Sequence, residues 1–389
     1  MKVNQMYQVL NEMSKLMFGE SAPTIVDLSG FVSMGQNVLS DTGTTDKFLS
    51  TLQDKFMGVI IRTLDIEIEY PNIMRHNFEY GAVLQKLTVE PLSSVATGAW
   101  NVGSMSADDV KTKMFTISKP TVRQKFFEGI NTWEVDLSLP DNILKSAFNS
   151  PAEMGAFMDA VMSAMIDSVT AQINTTNKYA VNNFIAEKIN GGTNVIHLLT
   201  EYGSESYTDD NADEAIRDKD FLSFMAKRIY DTIGYMSSPS ALFNEEGVIR
   251  RSTRDDLHVF LLNEVESAFT MFLSANTWHK ELVELPYHQR VTAWQNFGHL
   301  ADPTTSTPYA GANLKDASRI MVQTASGDTI HQKWVVGAMF DREAVGTTVF
   351  NRKTMTDRLN RLELTQYTNK VDVGYFNDLG ENGCVFVLD

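Results

Sequence analysis

The chain has 389 residues, carries 49 acidic against 33 basic side chains for a formal net charge of -16, and is 43% hydrophobic and 10% aromatic. That length and apolar content suffice for two or three compact units and exclude a disordered chain. The acidic balance argues against a surface built to grip phosphate, and the single cysteine, Cys384, excludes an intrachain disulfide framework.

Val3, Met6, Leu10, Met13 and Met17 fall three and four apart, which predicts an amphipathic helix ending near Gly19. Lys2, Glu12 and Lys15 interrupt this first stretch, so it carries no apolar run of a signal peptide. Apolar runs elsewhere, such as 57–61, are far too short to cross a bilayer. A chain made and folded in the cytoplasm of its host is the expectation. Residues 19–45 read as a linker-like arm, studded with Ile25, Val26, Leu28, Phe31 and Val32, that lies against something.

A second helix is expected over 46–61, with Phe48, Leu49, Leu52, Phe56 and Val59 inward. The period then changes to two: Leu64, Ile66, Ile68 and Tyr70 alternate with acids, as in a half-buried strand. Further extended pieces are expected over 83–89, 114–117, 122–129 and 133–139. Between the first two lies a soft stretch, 93–110, rich in Gly, Ser, Ala and Asp but holding Trp100 and Met105. Two extended arms around such a tip imply a long hairpin projecting from the body. A tryptophan there is a liability unless a neighbour covers it.

After Pro140 and a short helix over 142–148 comes the longest element. Ser150-Pro151-Ala152-Glu153 is a helix start: Ser150 can cap, Pro151 loses nothing at the first helical position, and Glu153 can close a capping box. Met154, Met158, Val161, Met165, Val169, Ile173, Ala180, Phe184 and Ile185 continue as one stripe to Gly191-Gly192. About forty residues at ~1.5 Å each span roughly 60 Å. Asn174-Thr175-Thr176-Asn177, all poor helix formers, predict a bend. Such a helix is either a long core helix of a globular protein or the backbone of a flat, extended subunit.

An extended piece over 195–199 leads into an acidic loop, 201–218. Its acids do not follow the order of a twelve-residue calcium loop, so a solvated loop is expected. A helix over 219–236, a buried strand over 257–262, a helix over 264–273 and short extended pieces over 282–285 and 291–294 follow. A Pro- and Thr-containing loop covers 298–317. Six strands are expected beyond it, over 319–324, 331–338, 347–350, 357–365, 370–376 and 385–388, with Cys384 as a small buried hydrophobe.

Chemistry-bearing motifs are absent. The seven histidines never fall three to five apart, and no phosphate-cradling, dinucleotide or nucleophile-elbow spacing occurs. The glycosylation triplet at Asn174 lies within the long helix of a chain without a secretory signal. No catalytic residue, cofactor or metal ligand is expected.

The order of parts, an arm, a projecting hairpin, a spine helix, a mixed region and a β-rich end, resembles the major capsid proteins of tailed bacteriophages. Their Hong Kong 97-like fold is α+β and is shared with encapsulin nanocompartments. Glu79 to Leu87 with Glu90-Pro91 is similar to the strand entering that family's extended loop. Asp256 to Leu261 followed by a helix resembles a strand of its axial domain, and Val335 to Ala344 resembles its closing region. The resemblance implies an N-terminal arm at 1–45, a helix and extended β-hairpin loop at 46–125, and a peripheral domain with the spine helix at 126–192. An axial domain would occupy 193–318, and a β-rich part returning to both domains 319–389. It implies a self-assembling icosahedral shell of hexamers and pentamers around double-stranded DNA, with portal and scaffolding or decoration proteins as further partners. No membrane and no sequence-specific DNA contact belong to that picture. Trp100, Met105, Met6 and Met13 are then the expected contacts between subunits. The alternatives are a cargo compartment on the same fold and an unrelated soluble enzyme.

Overall fold

The computed structural model describes residues 3–19, 24–39, 44, 47–48, 51, 69–74, 84–89, 119–128, 130–140, 151–192, 194–203, 207–208, 211–272, 288–295, 314–323, 327, 329–359 and 364–389. The first helix, α1, runs Val3–Phe18 and closes at Gly19, whose φ of 73° lies in the left-handed region that glycine tolerates. Leu10 and Met13 on α1 are fully buried. Where a linker is expected, the chain forms a second helix, α2, over Leu28–Leu39. Asp27 starts it by accepting from the Gly30 N–H at 2.8 Å and from the Ser29 hydroxyl at 2.9 Å. Phe31, Met34 and Val38 bury its inner side. Asn11 of α1 holds the connection at both backbone groups of one residue, its Oδ1 accepting from the Ile25 N–H at 2.6 Å and its Nδ2 donating to the Ile25 carbonyl at 2.9 Å.

Of the helix expected over 46–61 the described residues include Lys47, Phe48 and Thr51, and of the strand expected over 64–70 they include Glu69 and Tyr70, which form a bend with Tyr70 at a φ of 60°. Strand β1 (Leu84–Val89) pairs antiparallel with β2 (Val122–Phe127) as a two-stranded ribbon, so the first expected arm has the strand expected over 122–129 as its partner, and the second expected arm, 114–117, lies outside the described residues. The stretch between the arms, 90–118, and the helix expected over 142–148 lie outside the described residues. Strand β3 (Ile130–Pro140) alternates as its sequence does.

Helix α3 spans Pro151–Gly191, 41 residues, and stays helical through Asn174–Asn177. The two asparagines among those four residues are used for docking. The Asn174 Oδ1 accepts from the Glu69 N–H at 2.9 Å, the Asn177 Nδ2 donates to the Glu69 carbonyl at 2.8 Å, and Lys178 reaches the Glu69 carboxylate at 2.7 Å. Thr175 and Thr176 return their hydroxyls to carbonyls four residues back. The single-stripe expectation fails in the second half of α3: Ala180, Val181, Asn182, Phe184, Ile185, Ala186 and Lys188 are all buried, an arc far wider than one stripe, with Tyr179, Asn183, Glu187 and Asn190 on the less buried side. Val161 and Met165 lie in the half whose side chains are mostly outside the described residues.

Beyond α3 come β4 (Val195–His197) and the short helices α4 (Leu198–Tyr202) and α5 (Ala212–Ala215), both within stretches read as strand or loop. Helix α6 covers Lys219–Met236 with Asp218 as its cap, its Oδ1 2.9 Å from the Asp220 N–H. Strand β5 (Leu257–Leu262) is buried at every residue, and α7 (Asn263–Phe272) follows it directly. The remaining elements are β6 (His288–Val291), α8 (Leu314–Ala317), β7 (Ile320–Gln323), β8 (Thr329–Gln332), β9 (Val335–Asp341), β10 (Val345–Leu359), β11 (Leu364–Asn377) and β12 (Gly383–Val387). The piece expected over 291–294 is a strand ending at Val291, followed by the buried Trp294. The strand expected over 331–338 is two, separated at Trp334, whose φ is 62°. The strand expected over 357–365 is the end of β10 and the start of β11, on either side of their connection.

The main sheet has the order β4-β12-β9-β5-β6, with β12 parallel to β4 and β5 parallel to β6. The apolar core sits around it. Phe184 of α3 presses on Gly383, where an added Cβ would lie 2.6 Å from the ring, and its own ring packs 5.3 Å from Phe340. Trp294 is fully buried and donates its indole N–H to the Val335 carbonyl at 2.7 Å. A second sheet, β10-β11-β3, is antiparallel and packs Val371 and Val373 against Val169 and Ile173 of α3. Strands β7 and β8 pair with each other.

Candidate functional site

Two strands alone are marginal in water, so the β1–β2 ribbon needs support from elsewhere. Its register puts Lys86 directly opposite Lys125. Like charges facing each other across strands repel, so this pair requires an anion between them. Asp378 supplies it: one carboxylate oxygen lies 2.7 Å from the Lys86 ammonium and the other 2.5 Å from that of Lys125. The Asp378 side chain is 1% exposed.

The sequence after β11 builds this acceptor. In the turn 378–381, which leads to β12, the Gly380 N–H donates to Asp378 at 3.0 Å and the Glu381 N–H donates to the Asp378 carbonyl at 3.2 Å. Glu381 takes a second contact from Lys86 at 2.6 Å and one from Arg250 at 3.2 Å. Arg250 also donates to the Gly380 carbonyl at 3.3 Å and to the Thr88 hydroxyl on β1 at 3.2 Å. Glu246 pairs with Lys125 and stands 3.8 Å from Arg123, both on β2. Lys86 reaches the Glu343 carbonyl at 3.2 Å, between β9 and β10.

Charge states follow from these contacts. Burial works against the Asp378 carboxylate, but the hydrogen bonds from Lys125 and Lys86 outweigh it and hold the group below its ordinary value. Burial would lower Lys125, and Asp378 and Glu246 reverse that, so its ammonium is strengthened. Glu381 ends above the ordinary glutamate value because burial exceeds what Lys86 and Arg250 return. Behind the root, Lys188 of α3 is fully buried, 3.7 Å from Glu245, and burial brings it down. The assembly is an anchor of opposed ions. Its chemistry is holding, and it presents no nucleophile with a base beside it.

The other face of the ribbon is its opposite. Gln85, Leu87 and Val89 on β1 and Val122, Gln124 and Phe126 on β2 carry no charge. Leu87 is 61% exposed, Val89 60%, Val122 57% and Phe126 58%. An ordinary surface ribbon turns its apolar side to the body and its charges to water. Here the order is inverted, and among the described residues nothing covers this uncharged apolar face.

Of the expected contact residues, Trp100 and Met105 lie outside the described residues, and so does the side chain of Met6. Met13 is fully buried within its own subunit beside Leu10. Sequence reading missed the root altogether. The available signal was Lys86 itself, which shares the half-buried face of β1 with Leu84 and Thr88. In the acidic stretch 201–218, Asp209 and Asp210 lie outside the described residues, and no group of three or more metal-ligating side chains occurs among the described residues. No helix among them is long and apolar enough to cross a membrane.

Comparison with known proteins gives one consistent result. The model of a family described as Phi29-like phage major capsid protein matches residues 8–387. The major capsid protein of Bacillus phage PZA is 20% identical over 282 residues, which are 71% of this chain and 57% of that protein, so the chain spans just over half the length of that relative. Among solved structures, the capsid of Staphylococcus phage Andhra matches at a TM-score of 0.53 with 12% identity, over 84% of this chain and 86% of that one. A chain from the structure of the head fiber and inner core protein gp22 of native bacteriophage P68 matches at 0.54 with 11% identity and the same coverage. At such identities the two structures speak for the fold alone.

Proposed function

The chain belongs to the family of Phi29-like phage major capsid proteins, and on that premise we propose that it is the repeating subunit of a phage head shell. The observation that carries the reading is the inverted ribbon, charged toward its own body and apolar toward water. Covering that face with a second copy contributes about 1.5–3 kcal/mol for each large side chain fully buried. Head-to-tail contacts of that kind close into rings when the rotation closes.

In this reading the copies form hexamers and pentamers of an icosahedral shell enclosing double-stranded DNA. A net charge of -16 suits a wall that surrounds DNA without gripping it. The shell is part of the virion, is assembled in the host cytoplasm, and takes a portal and scaffolding or decoration proteins as partners. The subunit needs no catalytic residue and no cofactor. The hairpin tip lies on an adjacent subunit through Trp100 and Met105. Met6 joins from α1, whereas Met13, fully buried in the free subunit, packs within its own chain.

Negative-stain microscopy of the purified chain tests this. Closed, uniform particles are expected, with nuclease-protected DNA inside those taken from infected cells. Protein that stays monomeric at high concentration, with or without a scaffold, sinks the reading, and particles filled with protein cargo favour a compartment instead. Trp100→Ala is expected to leave the melting of the free subunit unchanged while lowering the disassembly temperature of particles.

A further inference from the structure

We propose that the ionic root is a latch that aims the ribbon: Lys86 and Lys125 are positioning residues that fix the direction of β1–β2 in the free subunit, before a second copy covers it. The ribbon's destination rests on the shell reading; the latch rests on the geometry of one chain. Apolar contact touches the ribbon where the Phe127 ring packs 5.4 Å from that of the buried Phe376, but none of the ribbon's residues belongs to the main core cluster or to the side chains packed on it. Apolar contact is also non-directional, whereas ion pairs with hydrogen-bond geometry fix an angle.

The partners come from three separate segments. Asp378 and Glu381 stand between β11 and β12, Glu246 and Arg250 between α6 and β5, and the Glu343 carbonyl between β9 and β10. Each is tied to the main sheet or to the others: the Asp378 N–H donates to the Ala344 carbonyl at 2.7 Å, the Glu245 N–H to the Leu379 carbonyl at 3.1 Å, and the Gly383 N–H to the Phe243 carbonyl at 2.9 Å. Three points define an orientation where one would define only a tether. Gly380 keeps the latch closed by what it lacks. A Cβ there would meet the Lys125 ammonium at 2.6 Å and the Glu246 carboxyl carbon at 2.7 Å. A preset ribbon spares the ordering cost that a swinging one would meet on docking.

The test is a spin-label distance measurement on the monomeric full chain, between Gln85→Cys on the ribbon and Ser223→Cys on α6, both exposed positions, with the native Cys384 buried. A narrow distance distribution is expected for the parent chain and for Lys125→Arg, and one at least twice as wide for Lys125→Met. Gly380→Ala, which keeps every charge and displaces only the latch, is expected to widen it as well, and it carries the test if Lys125→Met does not fold. A distribution already broad in the parent, or one unchanged in both Lys125→Met and Gly380→Ala, overturns the latch. Failure of the parent chain to form particles counts against the shell reading and leaves these distances to be read independently.

Discussion

Around Phe184, Trp294 and Phe340 the chain excludes water with apolar side chains; around Asp378 it does so with charges. The first region is the main sheet, where β5 and β9 are buried at every residue and the second half of α3 packs its apolar side chains. The second is the ribbon root, where the partners are 253 and 292 positions apart in sequence. Apolar burial gives the larger and more forgiving stabilisation, because any well-filled packing will do. Opposed ions add less net stability but tolerate only one arrangement. One region makes the subunit fold, and the other decides how its projecting part is held.

The strongest blow to this contrast is dealt at the sheet. Phe184→Ala removes a ring packed on Gly383 and Phe340 and is expected to cost about 3–5 kcal/mol, read as a fall in the urea midpoint of the whole subunit. A smaller loss there would mean that the core can collapse onto the space.

Asp378→Asn is expected to cost about 3 kcal/mol, since it removes the buried anion that the two facing ammonium groups share and leaves Lys86 to Glu381 and Lys125 to Glu246. It carries a pH signature. A carboxyl held below its ordinary value of 3.8 stabilises the fold above that value and loses the contribution as pH falls through its lower folded-state value. Glu381 and Asp341 are raised by burial and work the other way, so acid relieves them first. Unfolding followed from pH 6 downward should therefore show a steep loss below about 3.8 in the parent that is shallower in Asp378→Asn. Equal slopes would place the acid-labile groups elsewhere.

Asn177→Ala tests the seam between the regions. Its side chain serves the Glu69 carbonyl and accepts from the buried Thr347 hydroxyl at 2.6 Å, so the substitution is expected to cost about 1–3 kcal/mol. Calorimetry of the purified variant reads it directly.

The smallest effect on the fold sharpens the comparison most. Leu87→Ser combined with Phe126→Ser alters only the outward face and should leave free-subunit stability within about 0.5 kcal/mol. Particles should nonetheless form at higher protein concentration or dissociate at lower temperature. A matching loss in the free subunit would show that its own chain covers this face.

What could be read from the sequence was whatever repeats locally. The ends of α3, the capped span of α6 and the alternation of β3 all follow from neighbours three or two positions apart, and the structure places them where the pattern does. Helix α2 was passed over because Gly30 and Gly35 sit among serines, although Asp27 followed by Phe31, Met34 and Val38 spells a cap and a buried side. The turn between β10 and β11 was invisible for want of glycine or proline near Leu359. The docking role of Asn174 and Asn177 was equally hidden, because propensity counts a side chain's cost to its own helix and not its use by a distant segment. The root was out of reach for the same reason. No local pattern announces that Lys86 and Lys125 share one aspartate.

Strand β12 lies between β4 and β9 in the main sheet, with Val385 beside both Val195 and Ala338. A ribosome therefore makes β4 some 190 residues before the strand that pairs with it. Until residues 383–387 emerge, β4 and β9 each keep an edge of unpaired amides and carbonyls, and such edges recruit other strands. Pairing across that separation is slow, because a long loop must close before any contact rewards it. A chain interrupted before Gly383 would lose the middle of its sheet, not its margin. The sheet is thus incomplete until β12 is in place, and copies made side by side must keep those waiting edges apart.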